Sequence, residues 1–310
     1  MAPMPEPAPL PQWRQTLQRI EALGFDTVRV VDHFTEPSAL EPITAMTAAV
    51  AVTDRLRVVS LVACNDYRHP VMTHRMAAFI DVLSEGRLEL GLGAGWLRSD
   101  YDAAGLTYDP PPVRIARLIE AVAIIKGLFG AEPVTHEGVH YRITALEGRP
   151  KPAQRPRPPL LIGGGGPRVL AFAAREADIV GLNANLRAGA ITSEVAADLG
   201  ADPMAQKVTW VREAAERAGR SMADIELQLS CFVTAVTADM QAARTQLQAL
   251  ADLFRLPIEE VAQSPSVLVG TVDHCVERLL ELRQRHGFSY IDLRADPETT
   301  APIVERLAGR

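Results

Sequence analysis

Two patterns of hydrophobic residues alternate along the chain. Short runs of Val, Ile and Leu are separated by stretches whose apolar residues recur every three or four positions. The runs predict strands and the stretches predict helices. The predicted strands cover residues 28–32, 56–62, 88–92, 159–162, 179–182, 225–232 and 289–294. The predicted helices cover residues 12–23, 41–53, 71–83, 113–129, 167–176, 203–218, 239–254, 272–286 and 297–307.

Strands that alternate with helices in this way form parallel sheets. The seven predicted strands are one fewer than a (β/α)8 TIM barrel needs, and 310 residues suit such a barrel with insertions. An open doubly wound sheet is the alternative. Residues 133–143 have Gly138 at a turn and predict a β-hairpin insertion, which a rigid, proline-rich connection follows at residues 150–159.

The beginning of the chain departs from this pattern, because proline occupies every second position from Pro3 to Pro11. Proline cannot donate a backbone hydrogen bond, so this stretch is incompatible with a central strand. We therefore expect residues 1–11 to be a loose, polyproline-like segment, and residues 12–310 to form a single barrel domain. The first barrel strand is accordingly missing or atypical.

Alternation within the strands predicts which side chains face the barrel interior. The apolar face of each strand should meet the helices, which leaves Arg29 and Glu89 inside. We expect these two charges to form a buried ion pair, with Asp292 as a further member. The same rule directs His33 into a pocket at the end of its strand and turns Asp32 away, unless a bulge admits both side chains.

Asp32 and His33 end the first predicted strand, at the face where barrel enzymes have their active sites. A histidine there can give or take a proton near neutral pH. Both are therefore candidate catalytic and cofactor-binding residues, with a surface loop pair as the alternative. Tyr67, Trp96 and Asn183 follow other predicted strands and are candidates for the substrate pocket.

Two glycine-rich segments also follow predicted strands. Residues 91–96 lack the last glycine of a dinucleotide fingerprint, so we expect them to let the backbone approach a flat ligand. Residues 163–168 lead into a helix, where backbone N–H groups bind anions and an arginine adds a cation; a flexible loop is the alternative. The predicted cofactor-binding residues of these segments are Gly93, Ala94, Gly95, Gly163, Gly164, Gly165, Gly166, Pro167 and Arg168.

Composition excludes several other classes of function. The net charge is −6 without a basic block, so we expect no nucleic-acid partner. The three cysteines are far apart, which predicts no disulfide framework and fits a cytoplasmic location. No apolar run is long enough to span a membrane. Residues 136–140 match the HExxH pattern of zinc proteases, but their hairpin setting argues against a helical zinc site, and we predict no metal.

Several segments together resemble the luciferase-like flavin and deazaflavin oxidoreductases, and most closely the coenzyme F420-dependent branch. They are ALGFDTVRVVDHF, GRLELGLGAGW with YDAAGL, EPVTHEGVHYRI, PLLIGGGGPRVLAFAAREADIVGLN and VLVGTVDHCVERLLEL. The resemblance spans Trp13 to Arg294. It implies a (β/α)8 barrel, commonly a homodimer, that binds F420 or FMN across its C-terminal mouth.

By the same resemblance, Asp32 and His33 match the strand-end pair beside the cofactor ring. Cys64 and Asn65 match the backbone that supports the ring, where the family often has a non-proline cis peptide. Gly163 to Arg168 match the phosphate-binding segment. Trp96 stands where the sugar-phosphate dehydrogenases of the family have a carboxylate, which argues against a sugar-phosphate substrate.

The resulting expectation is an F420-dependent oxidoreductase. It would transfer hydride between F420H2 and a small organic substrate, by reduction of an imine or activated alkene or by the reverse oxidation, with His33 as proton donor or acceptor. An FMNH2-dependent monooxygenase with a partner reductase is the main alternative. A cofactor-binding protein without catalysis and a metal hydrolase are more distant ones.

Overall fold

The computed structural model describes residues 1–36 and 40–308, which form a (β/α)8 barrel with helices around a parallel sheet. Within these residues no helix is both long and apolar enough to cross a membrane. The strands are β1 (Ala2–Pro3), β2 (Thr27–Val30), β3 (Arg57–Ser60), β4 (Ala63–Cys64), β5 (Leu88–Gly93), β6 (Val134–Glu137), β7 (Arg142–Leu146), β8 (Leu160–Gly164), β9 (Ile179–Leu182), β10 (Glu226–Cys231), β11 (Val233–Val236), β12 (Val267–Gly270) and β13 (Phe288–Leu293).

Proline at the first turn and capping side chains define many of the helices. Pro167 begins α6 (Pro167–Glu176). The Thr271 side chain accepts a hydrogen bond from the backbone of α11 (Val272–His286), and Gly287, at φ +83°, ends that helix. The helices are α1 (Leu10–Ala22), α2 (Pro42–Val50), α3 (Pro70–Leu83), α4 (Arg98–Ala104), α5 (Pro111–Phe129), α6 (Pro167–Glu176), α7 (Ser193–Ala197), α8 (Ala201–Arg217), α9 (Met240–Phe254), α10 (Ile258–Gln263), α11 (Val272–His286) and α12 (Pro297–Leu307).

The barrel strands follow the order β1-β2-β3-β5-β8-β9-β10-β13, and each neighbouring pair that shares a ladder is parallel. The strand missing from the sequence pattern is β1, where Ala2 pairs with Val28. On its other side, the Leu293 N–H donates to the Met1 carbonyl at 3.2 Å. The expectation that this proline-containing stretch cannot be a central strand is therefore wrong. A strand of two residues needs few ladder bonds, so Pro3 is tolerated.

The sequence pattern did not predict β11 and β12, nor the division of the predicted strand 56–62 into β3 and β4. The predicted strand 56–62 ends at Ser60, and its continuation pairs with β5 as β4. Beyond β10, a separate parallel pair forms between β11 and β12, with Val233 opposite Val267. The predicted hairpin is confirmed, because β6 and β7 are antiparallel.

The inside-outside alternation of the strands is confirmed in β5. Leu88, Leu90 and Leu92 belong to the large apolar cluster that includes helix residues. A smaller cluster of Val59, Leu161 and Ile179 packs with Tyr290. The Tyr290 hydroxyl, on β13, donates a hydrogen bond to Glu89, which lies on the face of β5 opposite the leucines.

The expected Arg29–Glu89 ion pair is wrong, although both side chains form ion pairs. Arg29 Nε lies 3.1 Å from Asp292 Oδ1, whereas Glu89 Oε1 lies 2.7 Å from Arg57 Nε. Arg29 pairs instead with the suggested third member, Asp292, which lies on β13, two strands from β2 across β1. Asp292 is fully buried, and the cost of its burial is offset by Arg29 and by Arg294 at 3.1 Å.

Candidate active site

A cavity of about 480 Å³ opens where the barrel strands end. Residues at the C-terminal ends of seven barrel strands, all except β1, or in the segments that follow these strands line its wall. In parallel barrels this is the face that carries active sites. Of the predicted site residues, the lining includes Asp32, His33, Cys64, Tyr67, Gly93, Ala94, Gly95, Trp96, Gly163, Gly164, Gly165, Gly166 and Asn183.

His33 faces this cavity and is held from behind by a buried carboxylate. Its Nδ1 lies 2.7 Å from Asp100 Oδ2, and the Asp100 side chain has no exposed surface. The His33 ring also meets the edge of Trp96, with 5.5 Å between ring centroids. Within residues 1–36 and 40–308, Nε2 of His33 has no hydrogen-bond partner, so it is the ring nitrogen available to a ligand.

Asp100 accepts hydrogen bonds from several groups besides His33. The donors are the backbone N–H of Phe34 at 3.0 Å, the backbone N–H of Thr35 at 2.9 Å, the Thr35 hydroxyl at 2.7 Å and the Tyr67 hydroxyl at 3.3 Å. Burial by itself raises the pKa of this carboxyl, but the hydrogen bonds from His33, Thr35 and Phe34 outweigh it and lower the pKa below its usual value. Asp100 is therefore an anion at neutral pH.

Sequence reasoning missed Asp100 because it is on a short helix, α4, that the hydrophobic pattern did not predict. The only available signal was its place shortly after the glycine-rich segment 91–96. An acid beyond a strand end is too common to single out on that basis.

Asp32 borders the cavity, but other protein groups occupy its carboxylate. Arg68 Nη1 lies 2.5 Å from Oδ2, and the Cys64 N–H donates to the same oxygen at 2.8 Å. Arg68 also reaches Glu41 at 2.7 Å. These contacts fasten the end of β2 to the end of β4, so the geometry favours an anchoring role for Asp32 over the expected catalytic one.

Cys64 lines the cavity, whereas its neighbour Asn65 does not. The Cys64 thiol borders it, and burial raises the pKa of that thiol to about 12, which keeps it protonated and unreactive. Asn65 instead lines a second, polar cavity of about 400 Å³, where its Nδ2 donates to the Tyr141 hydroxyl at 3.2 Å. The expected contact of Asn65 with a cofactor is therefore not favoured. The cis peptide lies earlier, between Leu61 and Val62.

The glycines of the cavity wall allow close approaches that no other residue permits. Gly95 has φ +75°, and a Cβ there would lie 2.0 Å from the Tyr101 hydroxyl. A Cβ on Gly165 would lie 2.1 Å from the Ala184 carbonyl. Close packing therefore requires glycine at these two positions, independently of any role that they have toward a ligand.

Pro167 and Arg168 do not line the cavity. Pro167 begins α6, and Arg168 points outward, where its Nη1 donates to the Pro112 carbonyl at 3.2 Å. In this arrangement the Arg168 guanidinium is not placed to supply a cation to the cavity, because its side chain lies toward the start of α5. Arg187 lines the cavity instead, from the segment after β9.

The segment of residues 183–200 forms one side of the cavity mouth, and sequence reasoning assigned only Asn183 to it. Arg187, Ile191, Val195 and Leu199 also line the cavity. Buried Lys207 holds the segment, since its Nζ donates to the Asp198 carbonyl at 2.6 Å. Arg187, Ile191, Val195 and Leu199 lie five or more residues beyond the end of β9, so strand periodicity carries no signal for them.

The HExxH residues lie on the hairpin formed by β6 and β7. His136 Nε2 is 3.4 Å from Glu120 Oε2. Across the described ranges, no three His, Cys, Asp or Glu side chains are grouped so that they could hold a metal ion.

Comparison with known proteins places the barrel and its cavity in a known group. The profile of the luciferase-like monooxygenase family matches residues 2–264. An F420-dependent glucose-6-phosphate dehydrogenase from Microbacterium testaceum (strain StLB037) is 32% identical over 167 residues, which are 51% of this chain and 48% of that protein. An FMNH(2)-dependent dimethylsulfone monooxygenase from Pseudomonas putida is 26% identical over 176 residues, 56% of this chain and 48% of that protein.

The chain therefore spans about half the length of these curated relatives. Among solved structures, the coenzyme F420-dependent tetrahydromethanopterin reductase from Methanopyrus kandleri superposes with a TM-score of 0.74 at 18% identity. The superposition covers 98% of this chain and 95% of that one, and at this identity it shows the fold alone. Since the family profile covers most of the sequence, the chain belongs to the luciferase-like monooxygenase family.

Proposed function

We propose that the protein is an F420-dependent oxidoreductase that transfers hydride between F420H2 and a small organic substrate. The observation that carries this proposal is a histidine at the cavity wall, His33, backed by the buried anion Asp100 at 2.7 Å. Such a histidine is suited to exchange the proton that accompanies hydride transfer. The relative from Microbacterium testaceum supports the choice of F420.

The cavity suits a cofactor with a flat ring and an anionic tail. Val62 and the glycines 93 and 163 provide a wall without large side chains on the side of β5 and β8. Backbone N–H groups at the start of α6 and the guanidinium of Arg187 would meet the anionic part. The bound deazaflavin would supply hydride chemistry, while the chain would supply orientation and the proton.

His33 would hold or accept the proton at Nε2, the ring nitrogen that no described group engages. Trp96 beside it and the apolar residues of segment 183–200 would exclude water from the substrate. By the family resemblance, Trp96 stands where the sugar-phosphate dehydrogenases have a carboxylate. We therefore propose an imine, an activated alkene or, in reverse, a saturated product as the substrate class.

An FMNH2-dependent monooxygenase is the second candidate, and the relative from Pseudomonas putida favours it. That reaction would require oxygen and a partner reductase to supply the reduced flavin. The same cavity and the same apolar wall would serve it, so cofactor preference separates the two proposals.

We also propose a homodimer in the cytoplasm. Three side chains on one face of α3, Met72, Phe79 and Leu83, are apolar and exposed. A contiguous apolar face of this kind commonly packs against a partner. All three cysteines are free and buried, which fits a reducing compartment.

Parallel titrations of the purified protein with F420 and with FMN test the proposed cofactor. We expect saturable F420 binding, measured by fluorescence anisotropy, and at least about tenfold weaker binding of FMN, a difference of about 1.4 kcal/mol. The His33→Ala variant should bind F420 as the native protein does if its main role is proton exchange. Tight FMN binding without F420 binding would replace the first proposal by the second.

A further inference from the structure

We propose that Asp100 is a positioning residue that fixes the tautomer of His33, with the proton on Nδ1 and Nε2 presented to the cavity. This inference rests on the proposed role of His33, and it concerns a property of the protein without its cofactor. The two oxygens of the Asp100 carboxylate have different hydrogen-bond partners.

The first oxygen of Asp100, Oδ1, can only be an acceptor. Two backbone N–H groups donate to it, from Phe34 at 3.0 Å and from Thr35 at 2.9 Å. The Thr35 hydroxyl donates as well, at 2.7 Å. Backbone N–H groups cannot reverse their roles, so these contacts fix the rotation of the carboxylate and direct the second oxygen at His33.

The second oxygen, Oδ2, faces Nδ1 of His33 at 2.7 Å and the Tyr67 hydroxyl at 3.3 Å. An ionised carboxylate accepts hydrogen bonds and donates none, so the proton of this contact belongs to Nδ1. Burial raises the pKa of the Tyr67 hydroxyl further above its usual value, which keeps it a donor. Nε2 is then the basic nitrogen of the ring, and it belongs to a side chain that lines the cavity and engages Asp100 through its other nitrogen.

Asp100 also matters when Nε2 takes up a proton from a substrate. The fully buried carboxylate has no Lys or Arg partner among the described residues, and its other contacts are neutral donors. The positive charge formed on His33 would therefore meet an anion whose position is already set. Without that anion, a charge on a largely buried ring would lose most of its compensation.

The Asp100→Asn variant tests this division of roles because its side chain has one oxygen and one NH2 group. The donors from Phe34 and Thr35 require the oxygen on their side. The NH2 group must then face Nδ1 of His33, which becomes an acceptor, and the proton moves to Nε2. The matched control is Asp102→Asn, the same change on the same helix at a position 60% exposed.

The measurement is the tautomer of His33 in cofactor-free protein, read from the two ring nitrogens by 15N NMR at mildly alkaline pH. The signal is assigned by its loss in His33→Asn. We expect the Nδ1–H form in the native protein and in Asp102→Asn, and the Nε2–H form in Asp100→Asn. An Nε2–H form in the native protein would overturn the proposal even if Asp100→Asn failed to fold.

An unchanged tautomer in a folded Asp100→Asn variant would also overturn it. In turnover, Asp100→Asn should lower kcat on the order of 10²-fold and leave the Kd for F420 within about twofold, since general acid–base catalysis has this size. If F420 does not bind at all, the proposed function fails, whereas the tautomer result stands by itself.

Discussion

At the scale of single residues, two neighbours in the chain have opposite surroundings. The Asp32 carboxylate is bound by Arg68 and the Cys64 backbone, whereas His33 lines the cavity and has one ring nitrogen without a partner among the described residues. Strand alternation predicted that His33 rather than Asp32 is the side chain toward the pocket. It could not predict Asp100, because the contact joins the end of β2 to a helical residue 67 positions later in the chain.

The arginines of the cavity mouth offer a matched pair of substitutions. Arg187 lines the cavity, and Arg168 points away from it to the Pro112 carbonyl. We expect Arg187→Ala to weaken F420 binding about tenfold through loss of a charge-assisted contact. Arg168→Ala should change the Kd by less than about twofold. Fluorescence titration of both variants at one ionic strength makes the comparison.

The reverse order, with Arg168→Ala the more damaging change, would mean that the start of α6 rearranges when the cofactor binds. Raised salt should reduce the effect of Arg187→Ala, because the contact is exposed to solvent. A salt-independent effect would point to altered packing of the 183–200 segment instead.

At the scale of elements, α3 has an apolar face that the barrel leaves uncovered. Phe79 is 54% exposed, and Met72 and Leu83 lie one or two turns from it on the same side of the helix. If this face forms the proposed dimer interface, Phe79→Glu places a charge in it and should weaken dimerisation by at least about tenfold. Sedimentation velocity over a range of concentrations measures that change.

The control for this experiment is Leu253→Glu on α9, where the native side chain is 71% exposed. It adds the same charge to an apolar surface position away from α3 and should leave the association unchanged. Equal effects of the two variants, or a native protein that sediments as a monomer at all concentrations, would contradict the proposed dimer.

At the scale of the whole molecule, sequence periodicity predicted most of the barrel strands but not β1, the strand that closes the barrel. The strands β2 and β5 have Val- and Leu-rich runs that alternate with helices, and this pattern predicted them. β1 has only Ala2 and Pro3, which is too short for any period, and it exists because β2 and the end of β13 both offer backbone partners.

The cavity shows the same limit. Its floor and glycine walls follow strand ends, so their residues could be found by locating strands. The 183–200 segment could not, because tertiary contacts such as that of Lys207 with Asp198 determine its path. The direction of the Arg168 side chain could not be predicted for a related reason: the sequence places Arg168 at a helix start but does not determine which way its side chain points.

The reaction that we propose for this cavity is hydride transfer with F420, which does not require oxygen. The most direct measurement is anaerobic mixing of the protein with F420H2 and a set of cyclic imines and α,β-unsaturated ketones, followed by the absorbance of oxidised F420. We expect oxidised F420 to form in the absence of oxygen, on the order of 10²-fold more slowly in His33→Ala. Failure of every acceptor to oxidise F420H2, together with oxygen consumption when FMNH2 is supplied, would contradict the claim.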